Sequence, residues 1–247
     1  MPTDPTGQTG THPTGADHAR TRVTGPDSAA AAIAADEAAR RRAGAALAAG
    51  DPTGWFEPLY AAAETGEAVV PWFRGEPSPE LAAWVATQPA DGRSALVVGC
   101  GMADDAELLA GAGFRTSAFD VSPSAIKAVL NRFPETRVAY RTADLLDPPA
   151  EWHHAFDVVV EILTVQSMPK SVRAEAIASV SSFLAPGGTL VVGAVAEESI
   201  DLATWSGPPW PLNRAELDSF ARDGVTATSL DRVRDGARWW ATFTREF

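Results

Sequence analysis

An apolar run that opens into a Gly-x-Gly turn constrains the fold of this chain more than any other feature. The sequence Ser-Ala-Leu-Val-Val-Gly-Cys-Gly-Met-Ala-Asp occupies residues 94–104. A second apolar run ends in an acidic residue, Asp120, roughly 20 residues after the first glycine. This order is typical of a βαβ unit, in which the turn brings backbone close to a ligand and the carboxylate binds ribose hydroxyls. The spacing therefore predicts a site for an adenosine-bearing ligand.

The residues after the two glycines distinguish between adenosine ligands. A dinucleotide site favours a third glycine where this chain has Asp104, and Asp105 follows it. Two carboxylates in the first turn of a helix suit the helix dipole but would repel a pyrophosphate. S-adenosylmethionine has a sulfonium, an ammonium and no phosphate, so it is the ligand that this turn favours.

Composition limits the class of protein. The chain has 247 residues, 45% of them hydrophobic, which is enough for one sizeable α/β core. A formal net charge of -12 argues against a nucleic-acid partner, because phosphate contacts need clustered Lys and Arg. The single cysteine, Cys100, excludes a disulfide framework and a cysteine-based zinc site. We expect a cytoplasmic protein with no metal and no membrane-spanning segment.

Changes in composition divide the chain into three parts. Residues 1–27 are rich in Thr, Gly, Pro and Asp, which predicts a disordered tail. Residues 28–80 are predicted to form an N-terminal helical extension with an aromatic lid, and residues 81–247 the main domain. The aromatic residues of the lid segment are Trp55, Phe56, Tyr60, Trp72 and Phe73. They can cap the core or close over a flat ligand, and Trp72, beside Pro71, is the better lid candidate.

Short apolar runs alternate with helical patterns along the main domain. The predicted strands are 95–98, 116–119, 137–141, 156–162 and 189–195, followed by a hairpin of 227–233 and 239–244. The predicted helices are 29–49, with Ser28 as N-cap, 79–90, 104–112, 122–132, 170–184 and 213–222. This order predicts an α/β fold with a doubly wound, mostly parallel, seven-stranded Rossmann-like sheet that ends in an antiparallel hairpin.

Glycine or an acid follows or ends four of the predicted strands. Because ligands of such sheets bind at the carboxyl ends of the strands, Gly99, Asp120, Asp144 and Glu161 are expected to meet at one site. Asp120 and Asp144 can also be explained as strand-end caps that bond their own backbone. Glu161 lies in an apolar strand, where an unpaired charge is costly, and this favours a polar cleft.

Five ordered motifs make the chain resemble the class I S-adenosylmethionine-dependent methyltransferases. They are Gly99-Cys-Gly101, Asp120-Val-Ser-Pro, Ala143-Asp-Leu145, Phe156-Asp-Val-Val-Val-Glu161 and Leu184-Ala-Pro-Gly-Gly-Thr-Leu190. The approach Glu76-Pro-Ser-Pro-Glu-Leu81, after an aromatic segment, is similar to that of the thiopurine-methyltransferase-like branch of small-molecule enzymes.

The resemblance implies a role for particular residues. The backbone of Gly99, Cys100 and Gly101 would pass under the methionine part of S-adenosylmethionine. The adenosine contacts implied are Asp120 on the ribose, Val121 on the adenine ring, Asp144 on the adenine amino group and the Leu145 backbone beside it. Trp72 would close over the cofactor.

Glu161 would lie between the ammonium end of the cofactor and the acceptor, which makes it the candidate catalytic base. The family often has an acid where this chain has Val97, and a third glycine where it has Ala103.

The sequence supports three functions to different degrees. The first is methyl transfer to a small-molecule acceptor by in-line displacement, in which positioning and water exclusion contribute most. The second is binding of an adenosine ligand without catalysis, which is suggested by the departures from the family pattern at Val97 and Ala103. The third is a nicotinamide-linked oxidoreductase, which Asp104 disfavours. The sequence predicts neither the acceptor nor the oligomeric state.

Overall fold

The computed structural model describes residues 26–205 and 207–247. Most of the tail for which the sequence predicts disorder, residues 1–25, lies outside the described residues. The helices are α1 (Pro26–Ala48), α2 (Phe56–Glu64), α3 (Pro79–Val85), α4 (Asp104–Gly111), α5 (Pro123–Arg132), α6 (Lys170–Ser182) and α7 (Arg214–Asp218). The strands are β1 (Ser94–Val98), β2 (Arg115–Asp120), β3 (Ala139–Thr142), β4 (Phe156–Ile162), β5 (Leu184–Val195), β6 (Val225–Val233) and β7 (Arg238–Arg245).

The strands form one sheet of seven in the order β3-β2-β1-β4-β5-β7-β6. Strands β1 to β5 pair in parallel, and β7 pairs antiparallel with both β5 and β6. The predicted doubly wound sheet with a closing antiparallel hairpin is therefore confirmed. The chain leaves β1 toward β2 on one side and returns to β4 on the other, so the crevice beyond the carboxyl ends of β1 and β4 is where such sheets bind ligands.

The two faces of the sheet build separate cores. Leu96 and Val98 of β1 pack in one buried cluster, which includes Ile177 of α6. Ala95 and Val97 pack in the other, with the buried residues of α3, α4 and α5. Successive side chains of a strand point to opposite faces, so a strand covered on both faces must be apolar throughout.

The second helix, α2, is docked on the start of α5 by one carboxylate. Glu57 accepts hydrogen bonds from the Ser122 hydroxyl at 2.5 Å and from the Ser124 amide and hydroxyl at 3.1 and 2.7 Å. A negative charge at a helix N-terminus is favourable because the backbone amides there have no partner within the helix. These bonds hold the aromatic segment against the carboxyl end of β2.

Four helices differ from the sequence expectation, one of them α7, which ends at Asp218 rather than at residue 222. Helix α1 begins at Pro26, before the predicted cap Ser28, because proline is well tolerated in the first helical turn. Helix α2 was not predicted, since its nine residues give a short and largely aromatic pattern. Helix α3 ends at Val85 rather than at residue 90, and Pro89 disfavours helical geometry in the residue before it.

Candidate active site

A cavity of about 420 Å³ opens at the carboxyl ends of the central strands. Gly99 after β1, Asp120 at the end of β2 and Ile162 at the end of β4 are among its lining residues. The aromatic segment from Trp55 to Phe73 and the loop around Trp205 complete the walls. Its volume lies within the range of about 300–1,000 Å³ that is usual for small-molecule sites.

The floor of the cavity is the glycine turn, and both of its glycines are required. Gly99 and Gly101 have φ of 58° and 51°, in the left-handed region that favours glycine. A Cβ at Gly99 would lie 2.5 Å from the Thr164 side chain, and one at Gly101 would lie 2.9 Å from the Tyr60 hydroxyl. Burial, together with the charge of Asp120, raises the pKa of the Cys100 thiol well above its usual value, so a nucleophilic role is not supported.

The start of α4 shows why the departure at Ala103 is tolerated. Ala103 adopts φ of 70°, so the backbone keeps the left-handed conformation although the residue is not glycine. Asp104 accepts a hydrogen bond from Arg132 at 2.5 Å, and Asp105 accepts one from the Ser78 amide at 2.7 Å. Both carboxylates line the cavity, which agrees with the exclusion of a pyrophosphate ligand.

Asp120 combines burial, cavity lining and contact with the glycine turn. Its Oδ2 accepts the Gly101 amide and its Oδ1 accepts the Ser122 amide, both at 3.0 Å. The side chain is 6% exposed, and burial raises the pKa of Asp120 to about 6 despite these donors. A carboxylate offers about four lone-pair sites, so capacity remains for the two hydroxyls of a ribose.

The residues expected around adenine also line the cavity. They are Val121, Asp144 and the buried Leu145. One Asp144 oxygen accepts the Leu146 amide at 2.9 Å, as a strand-end cap would. The cap and the ligand role are therefore compatible, because the second carboxylate oxygen takes no part in that bond.

The aromatic wall contains a residue that the sequence did not single out. Trp72 lines the cavity, and its Nε1 donates a hydrogen bond to the Tyr60 hydroxyl at 3.0 Å. Tyr60 is buried, lines the same cavity and lies against Gly101. Its position one helical turn after Phe56 in an aromatic segment is the signal that could have revealed it. Trp55 adds a buried Nε1 with no hydrogen-bond acceptor in the described part of the chain, which leaves a donor for a ligand.

Glu161 does not lie where the sequence placed it. Its side chain is fully buried, and among the described residues it is not part of the cavity lining. Its Oε1 accepts the Thr164 and Val165 amides, both at 2.8 Å, and thereby fixes the loop after β4. Burial raises the pKa of Glu161 to about 7, with its Oε2 unpartnered. These contacts support a positioning role and not the expected catalytic one.

The far side of the cavity is built by segments that are distant in the sequence. Gln166 and Ser167, which follow β4, line it, but the Gln166 Oε1 is already bonded to the Val195 amide at 2.6 Å. Trp205 contributes an aromatic face, and Arg238, at the start of β7, contributes a guanidinium. Sequence reasoning missed Arg238, because only the pairing of β7 with β5 brings it to the site.

Residues 26–205 and 207–247 contain neither a candidate metal site nor a helix that could span a membrane. No group of three or more His, Cys, Asp or Glu residues there could hold a metal ion. No helix in those ranges is long and apolar enough to cross a membrane.

Comparison with known proteins gives one family match and many related folds. Residues 95–188 match a family model described as a methyltransferase domain. An N-methyltransferase NodS from Bradyrhizobium japonicum WM9, in complex with S-adenosyl-L-homocysteine, is 18% identical, with a TM-score of 0.58 over 76% of this chain and 98% of that one. The glycopeptide N-methyltransferase MtfA, complexed with S-adenosyl-L-methionine, is 16% identical, with a TM-score of 0.56 over 69% and 94%.

A third structure concerns the conversion of a disulfide bond into a thioacetal group during echinomycin biosynthesis. It is 21% identical, with a TM-score of 0.62 over 77% of this chain and 93% of that one. At these identities the structural likeness supports the fold, and the family match supports the activity. Residues 95–188 therefore match a methyltransferase domain, and the chain shares its fold with solved methyltransferases that bind S-adenosylmethionine or S-adenosylhomocysteine.

Proposed function

We propose that this enzyme methylates a small molecule and that S-adenosylmethionine binds along the glycine turn. The Asp120 carboxylate is the observation that carries the proposal. Asp120 is buried, lines the cavity and accepts a hydrogen bond from the Gly101 amide. One carboxylate would therefore contact both the glycine turn and a ribose hydroxyl.

The residues present fit the cofactor. When bound, S-adenosylmethionine supplies a methyl group on an activated carbon. Gly99 and Gly101 let the methionine part approach the backbone, because neither carries a side chain. Asp120 would bind the ribose hydroxyls, and Asp144 the adenine amino group. Val121 and Leu145 offer apolar surface for the adenine ring.

The protein contributes position and the exclusion of water. Trp72 and Tyr60 are joined to each other by a hydrogen bond and line the cavity above Gly101. Orienting two reactants and removing water can supply most of the acceleration of a displacement at an activated carbon. A thiolate or carboxylate acceptor needs no general base. Glu161 does not line the cavity, so it is not placed to act as one.

The shape of the site supports a small acceptor. Segments from α1 to the start of β7 converge on one concave cavity, which suits a ligand that is buried on most sides. The net charge of -12 is unfavourable for a nucleic-acid acceptor. The likeness to the thiopurine-methyltransferase-like branch, the division of the chain into three parts and the cytoplasmic location stay predictions from the sequence.

Calorimetric titration with S-adenosylmethionine, S-adenosylhomocysteine and NAD tests the proposal. We expect both adenosyl ligands to bind and NAD not to bind. Asp120→Ala should weaken binding of S-adenosylhomocysteine at least tenfold, about 1.4 kcal/mol, because it removes the ribose acceptor.

Asp218→Ala is the matched control, since Asp218 is exposed at the end of α7 and pairs only with Arg214. Binding of NAD alone would contradict the proposal. Binding of S-adenosylhomocysteine with no methyl transfer across a broad acceptor panel would favour an adenosine-binding protein without catalysis.

A further inference from the structure

We propose that the methyl acceptor carries a carboxylate group and that Arg238 binds it. This inference rests on the proposed function and adds a substrate class to it. Three features support it: Arg238 has no partner among the described residues, it has a particular place in the sheet, and the cavity has aromatic walls.

Arg238 is a half-buried cation without a protein partner. It lines the cavity, and within residues 26–205 and 207–247 no hydrogen bond or ion pair joins its side chain to another residue. Two other arginines with little exposure are paired with a carboxylate, Arg132 with Asp104 and Arg173 with Glu216, and the buried Arg245 donates to the backbone carbonyls of Asp223 and Ser181. A buried charge is costly unless it is paired, so an anion delivered by a ligand would be favourable here.

The charges around Arg238 do not neutralise it. Arg74 also lines the cavity, and the two arginines are the basic residues of its described lining. The nearby Arg234 is paired with Glu80, whose charge also acts on Arg238 and partly offsets the effect of Arg234 and Arg74. Glu76 lines the cavity too, but it is engaged in an interaction of its own. Partial burial, with Arg234 and Arg74 adding to it, lowers the pKa of Arg238 only to about 10, so the guanidinium is charged at neutral pH.

The position of Arg238 separates it from the expected nucleoside contacts. Strand β7 lies three places from β1 in the sheet, on the side away from β2. Neighbouring strands are about 4.8 Å apart, so the Arg238 backbone lies about 14 Å across the sheet from β1. Asp120 and Asp144 lie toward the opposite edge. Arg238 therefore faces the part of the cavity that the ribose and adenine contacts leave for the acceptor.

The aromatic walls of the cavity favour a flat, apolar body in the acceptor. Phe73 and Trp205 line the cavity, and each also makes a cation–π contact, with Arg132 and Arg40 respectively. Aromatic side chains bury large apolar area, while a guanidinium binds a carboxylate through two parallel charge-assisted hydrogen bonds. The class of acceptor is thus a small aromatic or apolar carboxylic acid.

A carboxylate could come from the acceptor or from the methionine part of the cofactor, and the experiment separates the two. The probes are matched acid and amide pairs, benzoate with benzamide and indole-3-acetate with indole-3-acetamide. Each is titrated calorimetrically into the protein saturated with S-adenosylhomocysteine. Binding of S-adenosylhomocysteine and of 5′-methylthioadenosine, which lacks the amino acid, is measured separately.

We expect at least one acid to bind the wild type tenfold or more tightly than its amide, and R238Q to abolish that preference. R238K should keep part of that preference, because lysine keeps the positive charge but cannot form the two parallel hydrogen bonds of a guanidinium. Arg222→Gln is the control, since Arg222 is exposed and pairs with Asp223 away from the cavity. Binding of S-adenosylhomocysteine should be the same in all four proteins.

Three outcomes would overturn the inference. In the first, neither acid is preferred over its amide by the wild type. In the second, both R238Q and R238K keep the full preference of the wild type. In the third, the variants lose affinity for S-adenosylhomocysteine but not for 5′-methylthioadenosine, which would assign Arg238 to the cofactor carboxylate. A wild type that binds no S-adenosylhomocysteine would instead contradict the proposed function.

Discussion

Asp120 and Glu161 are buried carboxylates that each accept two backbone amides at the end of a strand. Only Asp120 lines the cavity. The Oε2 of Glu161 has no partner, whereas both oxygens of Asp120 are bonded. The two carboxylates thus differ in what they contact, since Asp120 lines the cavity and Glu161 anchors the loop that carries Thr164.

The raised pKa of Asp120 gives cofactor binding a defined pH dependence. An ionised carboxylate accepts from ribose hydroxyls, and a protonated one must first lose its proton. We expect the affinity for S-adenosylhomocysteine to be constant above pH 7 and to fall below about pH 6, the pKa of Asp120. Well below that pH the fall should approach about tenfold per pH unit. Calorimetry between pH 5 and 8 measures it.

Asp120→Ala is the control for this pH dependence, because its weaker affinity should lack the fall near pH 6. An equally steep fall in that variant would assign the titration to another group. A flat profile for the wild type would show that the ribose does not depend on the charge of Asp120.

Single residues differ in how far the sequence predicts them. Gly99, Gly101 and Asp120 are predicted from the sequence, because a Gly-x-Gly turn followed at this spacing by an acid is typical of a βαβ unit. The sequence does not predict the orientation of Glu161. A position at the end of a strand fixes the edge of the sheet at which the residue lies, and not which neighbours its side chain contacts. Tyr60 is named by the sequence only as part of the aromatic segment, and Arg238 is brought to the site only by tertiary packing.

At the scale of elements, the β1–α4 turn is the most tightly constrained part of the chain. The Thr164 hydroxyl donates to the Val98 carbonyl at 2.9 Å, and its side chain fills the space where a Cβ of Gly99 would be. The loop after β4, anchored by Glu161, therefore packs directly on the turn after β1. Neither loop can shift without the other.

Gly99→Ala tests this coupling. The substitution places a Cβ 2.5 Å from a side chain that is held by a hydrogen bond, at a φ of +58°. We expect a loss of about 2–4 kcal/mol in the free energy of unfolding, from backbone strain and overpacking together. Urea denaturation with unchanged slope measures it.

Gly111→Ala is the matched control, because a Cβ there meets nothing within 4 Å and the residue ends α4 with ordinary φ. It should be neutral or stabilise by up to about 1 kcal/mol. Equal stability of the two variants would show that the turn is not close-packed against Thr164.

Elements were predicted best where a single rule governs them. Strands β1, β2, β4 and β5 follow from apolar runs that are buried in the sheet, whereas β3 at the edge is mostly exposed. The β6–β7 hairpin follows from its turn residues. Helix α2 was missed because its stability comes from docking Glu57 on α5 and from aromatic packing, and not from periodicity. The predicted end of helix α3 at residue 90 is wrong, since Pro89 disfavours helical geometry in the residue before it.

At the scale of the whole molecule, the buried acids make stability depend on pH. The folded state raises the pKa of Glu161 from 4.5 to about 7 and that of Asp120 from 3.8 to about 6. The folded protein therefore binds more protons than the unfolded chain in this window, and the free energy of unfolding falls as pH rises. Glu80, whose pKa the Arg234 hydrogen bond lowers to about 2, acts in the opposite way below pH 4.5. Stability should be greatest near pH 5.

Glu161→Gln should flatten this profile. The amide oxygen can still accept from Thr164 and Val165, but no proton is taken up. We expect the wild type to lose more stability than the variant between pH 5 and 8, by on the order of 3 kcal/mol. Urea denaturation at several pH values measures it, and parallel profiles would contradict the prediction. Stability and cofactor affinity would then respond to pH in opposite directions.

The cavity walls have a consequence for how such proteins diversify. The floor comes from the central segment that matches the family, while Trp72, Trp205 and Arg238 come from before and after it. Mutation of these flanking residues can therefore change the walls of the cavity and leave the glycine turn of its floor unchanged. Surveys that compare only the central segment would group these enzymes by the donor they share. The methyl acceptor of each one would have to be inferred from the residues before and after that segment.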